Sequence, residues 1–231
     1  MMAINREEIN ELVYDGQCTP RQYSPLSVSP QYYEALTKGY TDYDPETAKS
    51  LLDGAGYVDV NDDGFREYPD GSSLSFTIEG TDSSGSVGED VILLAIGYWN
   101  DIGINCAYKY NERSLYTEHY DANEIEAANW GGDRTVLPIV APWIFIGSMT
   151  DRPWCAAWSI YWNNNRDATY PNAEEPPEGH WIWDIWDNHA KMVVEPDEEA
   201  RNQYFKNIMD IWVEQVPMIG ILGEKPAPFI I

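Results

Sequence analysis

The sequence predicts an α/β fold, a mixed β-sheet flanked by helices, and three segments carry that prediction. Leu74-Ser75-Phe76-Thr77-Ile78-Glu79 alternates apolar and polar residues, as a half-buried strand does. From Gly88 to Ile102, the residues Ile92, Ala95, Ile96 and Trp99 fall on one helical face, and Ile104 to Tyr110 turns strand-like again after Gly103. A strand, helix, strand order implies a right-handed crossover and parallel pairing.

The other elements follow in chain order. Ile4 to Tyr14 carries Ile9, Leu12 and Val13 at helical spacing and stops at Gly16. The Pro- and Ser-rich stretch through Ser24-Pro25 and Ser29-Pro30 reads as an ordered but irregular loop. A helix starts at Asp44-Pro45-Glu46: Asp44 caps, Pro45 fits the first turn, Glu46 favours the positive dipole end, and Gly54 or Gly56 ends it. Beyond the crossover, Ser114 to Tyr120 is predicted helical and Ile125 to Trp130 a short buried strand. Residues 131–179 are rich in Pro, Trp and Asn without clean periodicity and read as a long connection, a class that is often functional. Trp181 to Val193 and Pro196 to Val213 read as helices, the second with Phe205, Ile208, Met209 and Trp212 at core spacing, before a last strand from Met218 to Leu222. With no internal repeat and no flexible linker, residues 1–231 read as one large or two small domains.

Composition limits the function. At 231 residues and 43% apolar content the chain can bury a substantial core. A formal charge of -25 repels phosphate backbones and anionic lipid, which argues against nucleic acid as a partner. No apolar run reaches the roughly 18 residues that span a bilayer, and no signal sequence opens at Met1, so the protein is either cytosolic or exported by a signal lying upstream. Cys18, Cys106 and Cys155 show no C-x-x-C spacing and read as buried structural cysteines. His119, His180 and His189 fit no common zinc motif and none stands in a nucleophile context, so the chain is not read as an enzyme.

Four stretches form a recognisable set: Ala3-Ile4-Asn5-Arg6-Glu7-Glu8-Ile9; Tyr43 to Leu52 with Ala55-Gly56-Tyr57; the Asp/Gly hairpin from Asp59 to Gly71 followed by Leu74; and Trp99-Asn100-Asp101-Ile102-Gly103-Ile104. Together they resemble the second lobe of solute-binding protein family 5, the peptide, nickel and oligosaccharide receptors of ABC importers. The likeness is close from Ala3 to about Gly103 and looser from Trp130 to Pro217. It implies one lobe of a type II (cluster C) periplasmic-binding-protein fold. The first lobe and the export signal would then lie outside this sequence, in an extracellular or periplasmic protein tethered through an N-terminal segment. The implied function is capture of oligopeptide, or of oligosaccharide, by closure of two lobes, with delivery to permease subunits. The reading from another class is a secreted carbohydrate-active enzyme or a calcium-dependent sugar-binding module.

Three groups of residues are candidate sites. Trp130-Gly131-Gly132-Asp133 follows a strand end, where open α/β sheets bind ligands. The resemblance implies that Asp133 pairs with a peptide α-ammonium group; because Arg134 to Ala141 depart from the family pattern, a plain Asp133–Arg134 ion pair is the other reading. Trp154, Trp158 and Trp162 recur every four residues and align on one face if helical, and Trp181, Trp183 and Trp186 cluster nearby. They read either as a core stripe or as a surface for stacking sugar rings, with Trp158 and Trp162 the candidates to reach solute. Finally, Asp59, Asn61, Asp63, Glu67 and Asp70 stand at the offsets of a calcium loop, with Gly64 at its turn. Asp in place of the final Glu, Pro69 beside it and a following strand favour an Asx-rich turn. No other cofactor is expected.

Overall fold

Side-chain caps open several of the helices, among them the one whose cap the sequence marks at Asp44. The computed structural model describes residues 1–132, 136–148 and 154–224. Helix α1 (Arg6–Tyr14) begins where Asn5 accepts the Glu8 N–H at 3.1 Å. The Pro/Ser-rich stretch that follows is mostly irregular, but it contains a two-residue strand, β1 (Thr19–Pro20), and a single turn, α2 (Glu34–Thr37). At α3 (Pro45–Gly54), Asp44 accepts the Thr47 N–H at 2.9 Å with Pro45 in the first turn, as predicted.

The crossover is also as predicted. Strand β2 (Ser75–Gly80), helix α4 (Val87–Asn100) and strand β3 (Asn105–Tyr110) are followed by α5 (Arg113–Asp121) and β4 (Ala127–Asn129). The strands lie in the order β3-β2-β4 and are all parallel, with Ile78 opposite both Tyr108 and Ala127. Their carboxyl ends, Gly80, Tyr110 and Asn129, therefore meet on one side. Ile78 and Cys106 pack beneath Ile92 and Ile96 of α4, which gives the sheet a covered face.

Among the described residues of 131–179 there is one helix, α6 (Ala156–Asn163), before α7 (Ile182–Val194) and α8 (Glu198–Gln215). The last two form the main core with Leu36 and the turn at Ile144, Phe145 and Ile146. The antiparallel pairing that a mixed sheet requires stands apart from the parallel one: β5 (Leu222–Gly223) pairs with β1 as a separate two-stranded sheet. The strand expected from Met218 to Leu222 contracts because its backbone bonds side chains instead of a ladder. Gly220 donates to Gln22 Oε1 at 2.7 Å, and its carbonyl accepts from Arg6 Nε at 3.0 Å. Among the described residues no helix is long and apolar enough to cross a membrane.

Candidate functional site

The open edge of β4 borders the candidate site, from Asn123 and Ile125 ahead of the strand to Trp130 just past its carboxyl end. Strand β4 pairs with β2 on one edge only, so its other edge is left for loop residues. Between that edge and the segments at 154–156 and 217–221 lies a cavity of about 420 Å³. Tyr116, Tyr120, Asn129, Trp130, Trp154 and Met218 contribute to its wall.

Trp130 sits in an aromatic column. Its ring stacks on Tyr116 with centroids 5.2 Å apart, Tyr116 stacks in turn on Tyr120 at 6.2 Å, and the Arg113 guanidinium lies 4.3 Å from the Trp130 ring centre. All three partners come from α5, whose residues 113, 116 and 120 recur at helical spacing on one face. Tyr116 and Tyr120 are buried, Trp130 is half-buried, and Gly131 and Gly132 are exposed. The site thus offers a half-buried aromatic wall, backed by this column, beside two glycines whose backbone a ligand can approach closely. Asp133, the expected ammonium anchor, lies outside the described residues.

Of the tryptophans at four-residue spacing, Trp154 reaches the cavity wall and precedes α6. Trp158 and Trp162 lie on α6 and pack toward α7: Trp158 meets His180 edge-on at 4.6 Å, and Trp162 lies 4.7 Å from Trp186 with Arg166 over its ring at 4.8 Å. Both border the main core. Tyr116, Tyr120 and Asn129 are wall residues that sequence reasoning did not single out. The signal for the two tyrosines was present, because they repeat with Arg113 on one face of a predicted helix.

The acidic loop divides. Asp59, Asp63 and Glu67 bring ligand oxygens within 4.8 Å of one another, whereas Asp70 turns away and accepts from the Ser72 N–H at 3.0 Å. The loop is closed by its own hydrogen bonds. Asp59 accepts from the Asp63 and Gly64 N–H groups at 3.3 and 2.8 Å, and buried Glu67 accepts from the Val60 N–H at 2.8 Å and Asn61 Nδ2 at 2.9 Å. This is the bonding of an Asx-rich turn.

Comparison with known proteins finds the family model of bacterial extracellular solute-binding proteins, family 5 Middle, over residues 1–145. Oligopeptide-binding protein AppA of Bacillus subtilis (strain 168) is 28% identical over 135 residues, which are 58% of this chain and 24% of AppA. The solved structure of an oligopeptide-binding protein OppA superposes with a TM-score of 0.85 at 32% identity, covering 97% of this chain and 36% of that one. A mannohexaose-bound periplasmic oligopeptide-binding protein of Thermotoga maritima shares the fold, with a TM-score of 0.66 at 23% identity over 97% of this chain and 40% of its own. The chain therefore spans well under half the length of each of these relatives.

Proposed function

Because the chain belongs to family 5 of the bacterial extracellular solute-binding proteins, we propose that it forms one wall of the solute cleft in the binding component of an ABC importer, with oligopeptide as the solute. The observation that carries this reading is the cavity of about 420 Å³ along the open edge of β4, which reaches Trp130 just past that strand's carboxyl end. An apolar peptide side chain fits its aromatic wall. The exposed backbone at Gly131 and Gly132 offers hydrogen bonds to the peptide main chain, and Asp133 supplies the charge for its α-ammonium group. Relatives described as oligopeptide-binding support the choice of solute.

The same aromatic wall suits the apolar faces of sugar rings, so oligosaccharide is the second solute. In either case the work is binding: the lobe closes against a first lobe outside this sequence, and the closed form is presented to the permease subunits. The site of action is outside the cytoplasmic membrane, with a tether in an upstream segment.

Calorimetry on the receptor carrying both lobes, with panels of peptides and oligosaccharides, tests the reading. Trp130→Ala is expected to weaken the preferred solute by about tenfold or more, as loss of a buried aromatic anchor does. Asp133→Ala is expected to weaken peptides by a similar factor of about ten and to leave sugars unaffected. Hydrolysis of a polysaccharide by the chain, or solute affinity untouched by Trp130→Ala, overturns the proposal.

A further inference from the structure

The carboxyl end of the sheet holds a polar contact that the solute reading leaves unused. Asn129, the last residue of β4, donates from Nδ2 to Asp82 Oδ2 at 2.8 Å. Asp82 is fixed in turn by Tyr108 of β3: its N–H donates to the tyrosine hydroxyl at 3.0 Å, and its carbonyl accepts from that hydroxyl at 2.9 Å. Two glycines make room for this meeting. A Cβ on Gly80 would stand 2.9 Å from Tyr108 Oη and 3.1 Å from the Asn129 carbonyl oxygen, and one on Gly88 would collide with the Asp82 carboxylate. Gly88 lies in the first turn of α4, where the helix end favours a negative charge. Tyr108 of β3 thus holds the Asp82 backbone, Asn129 at the end of β4 holds its carboxylate, and Gly88 at the start of α4 leaves room for it.

Strand β4 needs such a fixture. It pairs with β2 over three positions, Ile78 with Ala127, Glu79 with Ala128 and Gly80 with Asn129, and borders the cavity on its other edge. A ladder this short does little to fix where the chain goes next. We infer that Asp82 is a positioning residue for the solute site: by holding the Asn129 amide it fixes the direction in which β4 leaves the sheet, and with it the placement of Trp130, Gly131 and Gly132. The inference rests on the reading of Trp130 to Gly132 as part of the solute wall.

The test uses three forms of the receptor carrying both lobes, labelled with 15N-glycine: wild type, Asn129→Asp, and the exchanged pair Asp82→Asn with Asn129→Asp. Two readouts are followed by NMR, the order of the Gly131 and Gly132 amides from 15N relaxation, and the shift of those amides during titration with tri-alanine and with mannohexaose. Asn129→Asp sets two carboxylates face to face. At about pH 7.5 the order parameters of the Gly131 and Gly132 amides are expected to fall from about 0.85 to about 0.6 and the solute to bind about fivefold more weakly. At about pH 5 the two carboxylates share a proton, and both effects are expected to shrink. The exchanged pair restores an amide facing a carboxylate and is expected to return both readouts to wild type with no pH dependence. A merely structural defect would not reverse with pH.

If solute binds but Asn129→Asp leaves amide order and affinity at wild-type values, the positioning role is overturned and the solute site stands. The role also falls if the exchanged pair folds but stays as weak as the single variant. If neither solute moves Gly131 or Gly132 in the wild-type chain, the reading of the solute wall falls, and this inference with it.

Discussion

Three indole N–H groups are aimed at three consecutive carbonyls. Trp154 donates to Ile144 O at 2.8 Å, Trp212 to Phe145 O at 2.9 Å and Trp186 to Ile146 O at 2.9 Å. Those carbonyls belong to an irregular turn buried against α7 and α8, where no helix or strand ladder supplies donors. Tryptophan suits the position because it brings a large apolar surface and one donor together. The three carbonyls are unequal, since Ile144 O also accepts from the Gly147 N–H at 3.1 Å. Trp212→Phe keeps an aromatic ring but strands the Phe145 carbonyl, and is expected to cost about 2 to 3 kcal/mol. Trp154→Phe leaves Ile144 O with a partner and is expected to cost about 1 kcal/mol, mostly in packing. Urea unfolding of both variants checks the order, and a larger loss for Trp154→Phe refutes it.

Helices α6 and α7 meet along a seam in which tryptophans face histidines. Trp158 lies 4.6 Å from His180 and Trp162 lies 5.9 Å from His189, both edge-on. His180 Nδ1 accepts the Ile182 N–H at 3.2 Å, so it serves as the acceptor at the start of α7 and must be unprotonated at that nitrogen. Burial lowers the pKa of both histidines from the ordinary 6.5. The folded state therefore binds fewer protons than the unfolded chain as pH falls through that region. The stabilising contribution of the neutral rings is present above about pH 6.5 and is lost as pH falls through their lowered folded values. Melting temperature is expected to drop from about pH 7.5 to about pH 5, and His180→Gln with His189→Gln is expected to flatten that drop. An equal slope in the double variant rules out the histidines as its source. This seam was only half legible in the sequence. The four-residue spacing of Trp158 and Trp162 showed a shared face, but what they would face depends on His180 and His189, which periodicity alone could not bring opposite them. Helices with caps, such as the one opened by Asp44 and Pro45, and the 74–110 crossover were legible because their signals are local. The contraction of the last strand was not, because it depends on Gln22 and Arg6, about two hundred residues away in sequence.

At the scale of the molecule, 39 acidic residues face 14 basic ones. The imbalance at the surface is greater than that count suggests, because Arg6, Arg21 and Arg66 are buried while, among the described residues, only Glu67 and Glu79 of the carboxylates are. Each buried arginine is spent on local bonds, as Arg66 is on Asp53, the Tyr57 carbonyl at 2.5 Å and the Ile102 carbonyl at 2.7 Å. Repulsion among the surface carboxylates opposes the compact state and relaxes when the chain expands. Salt weakens it, since the screening length falls from about 10 Å at 0.1 M to about 3 Å at 1 M. Melting temperature is therefore expected to rise by about 10 °C between about 0.05 and 2 M NaCl, with most of the gain below about 1 M, where the screening length changes most. Sucrose at matched osmolality separates this effect from general exclusion of solute from the protein surface, because it leaves the charges unscreened. A rise of the same size in sucrose, or a melting temperature that stays flat in NaCl, rules out charge repulsion as the main electrostatic load on this fold.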